Sequence, residues 1–225
     1  MNSCFIDAVV YIGANGDSIR SGMRQAACEL IGGVVPSSPP SGAAKDKVEC
    51  RPAKDRKAGA SSLVLAPESL GSIMLFDAYN ALKSDSTLMV QDELAKLKSV
   101  YLLSNQIPLL SLGNVPANIA KANASPLPET ALAQLLANTN SNKRLQNGEN
   151  IQVVAFSDPN DMFSYRLQQK HVGDPDGADN IELTNVLVSN DKTYLGLVEN
   201  PLNAHRGYER DQVFNMLLNG SAVLD

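Results

Sequence analysis

"SSLVLAPESLGSIMLFDAYNAL", residues 61–82, holds the turn on which the fold depends. The apolar run Leu63, Val64, Leu65, Ala66 is short and stops at Pro67, the pattern of a buried strand broken by a residue that cannot continue a ladder. From about residue 70 the period changes. Met74, Ala78, Ala81 and Leu82 recur at helical spacing and line one face of a helix over about 70–84. Glu68 and Ser69 lie between the two elements, so the stretch reads as strand, sharp turn, helix. A serine at that point is an ordinary N-cap, its hydroxyl accepting a bond from a free backbone N–H of the first turn. The same place would also make a serine hydroxyl stand out from the sheet.

The alternation repeats along the chain. "MVQDELAKLKS" reads as a helix leading into a strand "VYLLS" at 100–104, and "PETALAQLLANT" at 128–139 as a helix with Pro at its first position. "IQVVAF" (151–156) and "IELTNVLVS" (181–189) read as further strands, and "GYERDQVFNMLLNG" as a closing helix ended by Gly220. Upstream, "FIDAVVYIG" (5–13) is expected as a strand. A helix follows it, with Asp17 at its start and Gly32-Gly33 at its end. Residues 34–60 have no period and are rich in Pro, Ser, Gly, Ala and Lys, which predicts a flexible, solvated insertion. β–α alternation with unbroken apolar strands predicts an α/β fold: a mostly parallel sheet covered by helices on both faces. The expected organisation is a single domain over 1–225 with an insertion at 34–60.

Composition narrows the function classes. The chain has 225 residues and a net charge of -5, without the basic face that nucleic-acid binding requires. No apolar run is long enough to span a membrane, and no basic-apolar leader opens the sequence, so the default location is cytoplasmic. Cys4, Cys28 and Cys50 are odd in number and fit neither a disulfide framework nor a CxxC knuckle; reduced structural thiols are expected, and no metal or other cofactor. Neither GxGxxG nor GxxxxGK[ST] occurs, which weakens a nucleotide-binding reading.

In open parallel sheets ligands sit past the carboxyl ends of the strands. Ser69 follows "SLVLA", Asp158 and Asp161 follow "IQVVAF" in "SDPNDMFSY", and His205 follows the last strand in "ENPLNAHRGYERD". The order Ser, Asp, His is that of an α/β-hydrolase triad. Such chemistry needs a base to activate a weakly nucleophilic hydroxyl, and a carboxylate to fix the imidazole tautomer. "ESLGS" carries the second glycine of G-x-S-x-G as Gly71, where the helix would pack close to the strand, but Pro67 stands where the first is expected. Asn105 or Gln106, after "VYLLS", would border the pocket or pin the loop. His171 is incidental, and Asp77 a structural partner.

The segments "ESLGSIMLFDAYNAL", "VYLLSNQIPLL", "VVAFSDPNDMFSYRL" and "ENPLNAHRGYE" together resemble a family of mostly uncharacterised bacterial-type α/β-hydrolases distantly similar to lipases. The resemblance covers roughly residues 5–33 and 62–222. It implies that an elbow without its first glycine is ordinary, that Ser69 is the nucleophile and His205 the general base, and that a small ester or acyl compound is the substrate. For the acid it implies Asp161 or Asp158. Asp161 is preferred because it precedes "MFSYRL", while Asp158 is placed to cap the turn with Pro159. The Leu70 N–H is one oxyanion donor; a second has no candidate, because no HG-type segment precedes the elbow. A hydrolase shortened at its N-terminus is therefore expected, and the alternative is an inactive hydrolase-like domain serving as a binding module.

Overall fold

The structure, a computed structural model, describes residues 10–11, 16–36, 49–54, 62–85, 88–111, 130–139, 150–173, 180–190 and 200–208. Helix α1 spans Asp17–Leu30, and β1 (Gly33–Val34) pairs antiparallel with β2 (Arg51–Pro52). The strands β3 (Leu63–Leu65), β4 (Leu97–Leu103), β5 (Ile151–Ser157) and β6 (Ile181–Leu187) form a four-stranded parallel sheet in the order β3-β4-β5-β6. Between β3 and β4 lie α2 (Gly71–Asp85) and α3 (Leu88–Leu94); between β4 and β5 lie α4 (Ile107–Ser111) and α5 (Ala131–Thr139); α6 (Pro201–Arg206) follows β6. The chain is thus of the α/β class expected from its periodicity.

Strands taken in sequential order with right-handed crossovers send their connections to one face of the sheet. The main core agrees. Ala27 and Cys28 of α1, Phe76, Tyr79 and Leu82 of α2, Val90 and Leu94 of α3, and Leu132, Leu135 and Leu136 of α5 bury together against Val100, Leu102, Val153 and Ala155 of the sheet. The alternate residues Tyr101, Leu103, Val154 and Phe156 form a second cluster around Tyr208 on the other face. β4 and β5 are therefore buried on both sides, which is why they read as continuous apolar runs rather than as an alternation.

Several local expectations are corrected. β4 starts at Leu97, inside the segment expected to be helical, because Leu97 and Ser99 are buried while Lys98 is exposed, a period of two. Residues 105–111 are not all loop. Asn105 Oδ1 accepts the Ile107 N–H at 2.9 Å and starts α4, with Pro108 in its first turn, where a missing N–H costs nothing. Thr130 caps α5 through its hydroxyl, 3.0 Å from the Ala133 N. Val10 and Tyr11 are helical, and Tyr11 is tied to α2 by its hydroxyl on Asp77 Oδ2 at 2.9 Å; the rest of 5–13 lies outside the described residues. Asp77 is thus a structural partner. Gly207 closes α6, and the helix expected over 207–220 otherwise lies outside the described residues.

The largest correction concerns the cysteines. Cys28 and Cys50 form a disulfide and are fully buried, not reduced thiols. The β1–β2 pairing explains it: the ladder Gly33↔Pro52, Val34↔Arg51 brings the end of the 34–60 segment back beside the C-terminal turn of α1. Residues 34–36 and 49–54 of the insertion are therefore held in place rather than free in solvent. Gly33 is required here, since a Cβ would come within 2.6 Å of both sulfurs. Closing a loop with a sequence separation of 22 restricts the unfolded chain enough to stabilise the fold by about 3 kcal/mol. Replacing both cysteines by alanine is expected to lower the urea-unfolding free energy by that amount; an unchanged midpoint would deny the crosslink its role.

Among the described residues no helix is long and apolar enough to cross a membrane, and no cluster of three His, Cys, Asp or Glu is placed to hold a metal ion.

Candidate active site

All four parallel strands point their carboxyl ends at one place, and each delivers part of a polar cluster. After β3, the turn at Glu68–Leu70 is held against β4: Ser69 N–H donates to the Leu103 carbonyl at 2.8 Å, and Leu103 N–H to the Pro67 carbonyl at 3.1 Å. Ser69 adopts φ +53°, in the left-handed region that non-glycine residues avoid at a cost of roughly 1–2 kcal/mol. The turn reverses so tightly because α2 begins at once. Gly71 N–H bonds the Glu68 carbonyl, Ser72 N–H bonds the Ser69 carbonyl, and the Ser72 hydroxyl donates to the same oxygen at 2.7 Å. Ser69 does not act as an N-cap. Its hydroxyl is engaged by His205 and Gln106 instead.

Gly71 is not the close-packing glycine expected from the motif. A Cβ built there meets nothing within 4 Å, so the strand–helix distance does not depend on it. Pro67 fits because the bonds that anchor the turn use its carbonyl.

Ser69 Oγ lies 3.1 Å from His205 Nε2, and His205 Nδ1 lies 2.9 Å from Asp161 Oδ1. An ionised carboxylate can only accept, so Nδ1 carries the ring proton and Nε2 presents its lone pair to the serine hydroxyl. His205 and Asp161 are buried while Ser69 is half-buried, so the serine end of the chain of bonds is the reachable one. His205 sits within α6 rather than in a loop. Asn200 Oδ1 caps that helix by accepting the Leu202 N–H at 2.9 Å, and Pro201 takes its first position. The Phe163 ring stands edge-on to the imidazole, with centroids 5.2 Å apart.

Asp161 is held by four donors. Oδ1 accepts from His205 Nδ1 and from the Phe163 N–H at 2.9 Å; Oδ2 accepts from the Ser104 hydroxyl at 2.8 Å and the Tyr208 hydroxyl at 3.1 Å. Burial alone would push its pKa up. The hydrogen bonds from His205, Phe163 and Ser104, with the electrostatic attraction of the adjacent imidazole, outweigh burial and hold the carboxyl below the usual carboxylate range. Burial, reinforced by the charge of Asp161, raises the Tyr208 phenol, which stays protonated as a donor. Asp158 does different work. Its Oδ1 accepts the Asn160 N–H at 2.8 Å in an Asx turn, and its Oδ2 accepts the Asn190 N–H at 2.7 Å, tying the β5 loop to the β6 loop. Asn190 in turn donates to the Ala204 carbonyl at 2.7 Å, fixing α6 and with it His205.

The sequence reading missed Ser104, Tyr208 and Asn190. Ser104 is fully buried, has φ +50°, and also lies 2.8 Å from His205 Nδ1. Because it donates to Asp161, its oxygen faces the Nδ1 proton, so it braces acid and base together. Its position directly after "VYLL" was the available signal. Asn105 pins the loop, donating to the Tyr165 carbonyl at 2.7 Å, whereas Gln106 donates from Nε2 to Ser69 Oγ at 2.8 Å. His171 is buried in the short helical turn Gln169–His171, where its Nδ1 accepts the Gln168 N–H at 2.9 Å; burial, with Lys170 nearby, lowers its pKa.

Fold and site together define a class: a parallel α/β protein whose strand ends assemble a serine, a histidine and a buried carboxylate into one hydrogen-bonded chain. The sequence matches no protein-family model, no curated protein and no solved structure.

Proposed function

We propose that this protein is a serine hydrolase that cleaves carboxylic esters of small molecules through an acyl-enzyme, with Ser69 as nucleophile, His205 as general base and Asp161 as the acid of the triad. The observation that carries the reading is the unbroken path from Ser69 Oγ through both ring nitrogens of His205 to Asp161, starting from a serine at φ +53°. An N-capping serine would have neither that backbone nor that partner. The resemblance to the α/β-hydrolases supports the same roles.

In the first half-reaction Ser69 Oγ bonds to the ester carbonyl carbon, its proton passes to His205 Nε2, and the carbonyl electron pair moves onto oxygen. Collapse of that oxyanion breaks the bond to the alcohol, which leaves with the proton from Nε2. Water then repeats the sequence at the acyl-serine, releasing the acid and restoring Ser69. Asp161 stays ionised and stabilises the imidazolium. The Leu70 N–H, which no group accepts among the described residues, lies at the start of α2 and is one donor for the oxyanion. The Cys28–Cys50 bond supports an oxidising compartment, rather than the cytoplasm, as the working location.

The test is pre-steady-state. A short-chain p-nitrophenyl ester is expected to release a burst of p-nitrophenol close to one equivalent per chain before the slower steady state. A folded sample that gives neither burst nor turnover would overturn the enzyme reading in favour of an inactive hydrolase-like binding domain.

A further inference from the structure

We infer that the side chain of Gln106 is the second donor of the oxyanion hole, beside the Leu70 N–H. The inference rests on the serine-hydrolase reading above. Gln106 follows β4, the strand beside the one that carries Ser69, and its carboxamide is buried, with 5% of the residue exposed. One N–H of Nε2 points at Ser69 Oγ at 2.8 Å, and among the described residues the other has no acceptor. A primary amide in such a place carries an unused donor beside the nucleophile. Its backbone is fixed independently, since the Gln106 carbonyl accepts the Leu110 N–H at 3.0 Å in the first turn of α4.

The chemistry follows from how the acceptor changes during attack. In the free enzyme Ser69 Oγ donates to His205 Nε2 and accepts from Gln106. Once Oγ is bonded to the substrate carbon it becomes a weak, ester-like acceptor, and the full negative charge appears on the adjacent carbonyl oxygen. The Gln106 N–H groups then serve that oxygen better than Oγ. Leu70 N–H approaches from the chain just after Ser69 and Gln106 from the neighbouring strand, so two donors from separate elements converge on the developing charge. Interactions stronger in the transition state than in the ground state raise turnover rather than substrate affinity.

Gln106→Ala and the isosteric Gln106→Glu are compared with the wild type for kcat and KM on a short-chain p-nitrophenyl ester, and for inhibition by a trifluoromethyl ketone, which forms a hemiketal oxyanion on the serine. Removal of one such donor is expected to lower kcat by about 10²–10³-fold with KM nearly unchanged. The ketone inhibition constant should weaken in parallel. The glutamate variant should be no better than the alanine variant, because a carboxylate cannot donate, and it retains the shape should the alanine variant fold poorly. A residue that only orients the Ser69 side chain would not couple ketone affinity to kcat in this way. Turnover within a few-fold of wild type in both variants, or ketone inhibition unchanged while kcat falls, overturns the assignment of Gln106 and leaves the triad standing. A wild type with no turnover overturns both.

Discussion

Asp161→Asn is expected to lower kcat on a short-chain ester by about 10⁴-fold, the loss typical when a triad carboxylate becomes an amide. The cause lies in the donor count. His205 Nδ1, the Phe163 N–H, Ser104 and Tyr208 all donate to this one carboxylate. An asparagine offers a single oxygen, so in either flip an NH₂ group faces donors, and where it faces His205 it selects the tautomer with the proton on Nε2. That tautomer cannot accept from Ser69. Leaving donors unsatisfied at a buried site also costs stability, about 1–3 kcal/mol. Asp158→Asn should show a similar stability loss, because it too surrenders a buried acceptor for the Asn160 or Asn190 N–H. Its kcat should stay within about tenfold, since among the described residues the Asp158 carboxylate reaches His205 through the Asn190 and Ala204 contacts and touches no triad residue. The two effects separate when kcat and the urea midpoint are measured on the same preparations. Equal kcat losses would mean that Asp161 is not the acid.

Removal of the Ser69 hydroxyl carries the second large effect and tests the turn as well as the chemistry. Ser69→Ala and Ser69→Gly should both lose turnover by about 10⁴-fold or more. Their stabilities should differ in an unusual direction. Both lose the bonds to His205 and Gln106, so that cost cancels in the comparison. The difference left is the backbone at φ +53°, which glycine adopts without the Cβ clash that alanine suffers. Ser69→Gly should therefore be more stable than Ser69→Ala by about 1 kcal/mol, the reverse of the order in an ordinary helix or strand. Finding alanine the more stable of the two would show that the turn is not strained.

Much of the fold was readable because β4 and β5 are buried on both faces and α2 and α5 show helical spacing; these patterns are local. What could not be read depends on contacts between distant segments. The Cys28–Cys50 bond exists because β1 and β2 pair, and two-residue strands leave no periodic signal. Within the site, the strand-end rule pointed to Ser69, His205 and both aspartates, and the preference for Asp161 came only from the segment that follows it. The directions of the two side chains separate them physically, one toward His205 and the other toward Asn190. Ser104 escaped notice because a serine after a strand is commonplace until its φ of +50° and its two partners are known. Gly71 shows the opposite error: a motif position was credited with a packing role that the open space around it removes.

The most direct measurement of the central claim is the site of covalent labelling by a fluorophosphonate. The wild type should acquire one phosphonyl group, found by peptide mass spectrometry on the segment containing Ser69, and Ser69→Ala should acquire none. Adduct on another residue, label retained in Ser69→Ala, or no adduct on a folded wild type would contradict Ser69 as the activated nucleophile.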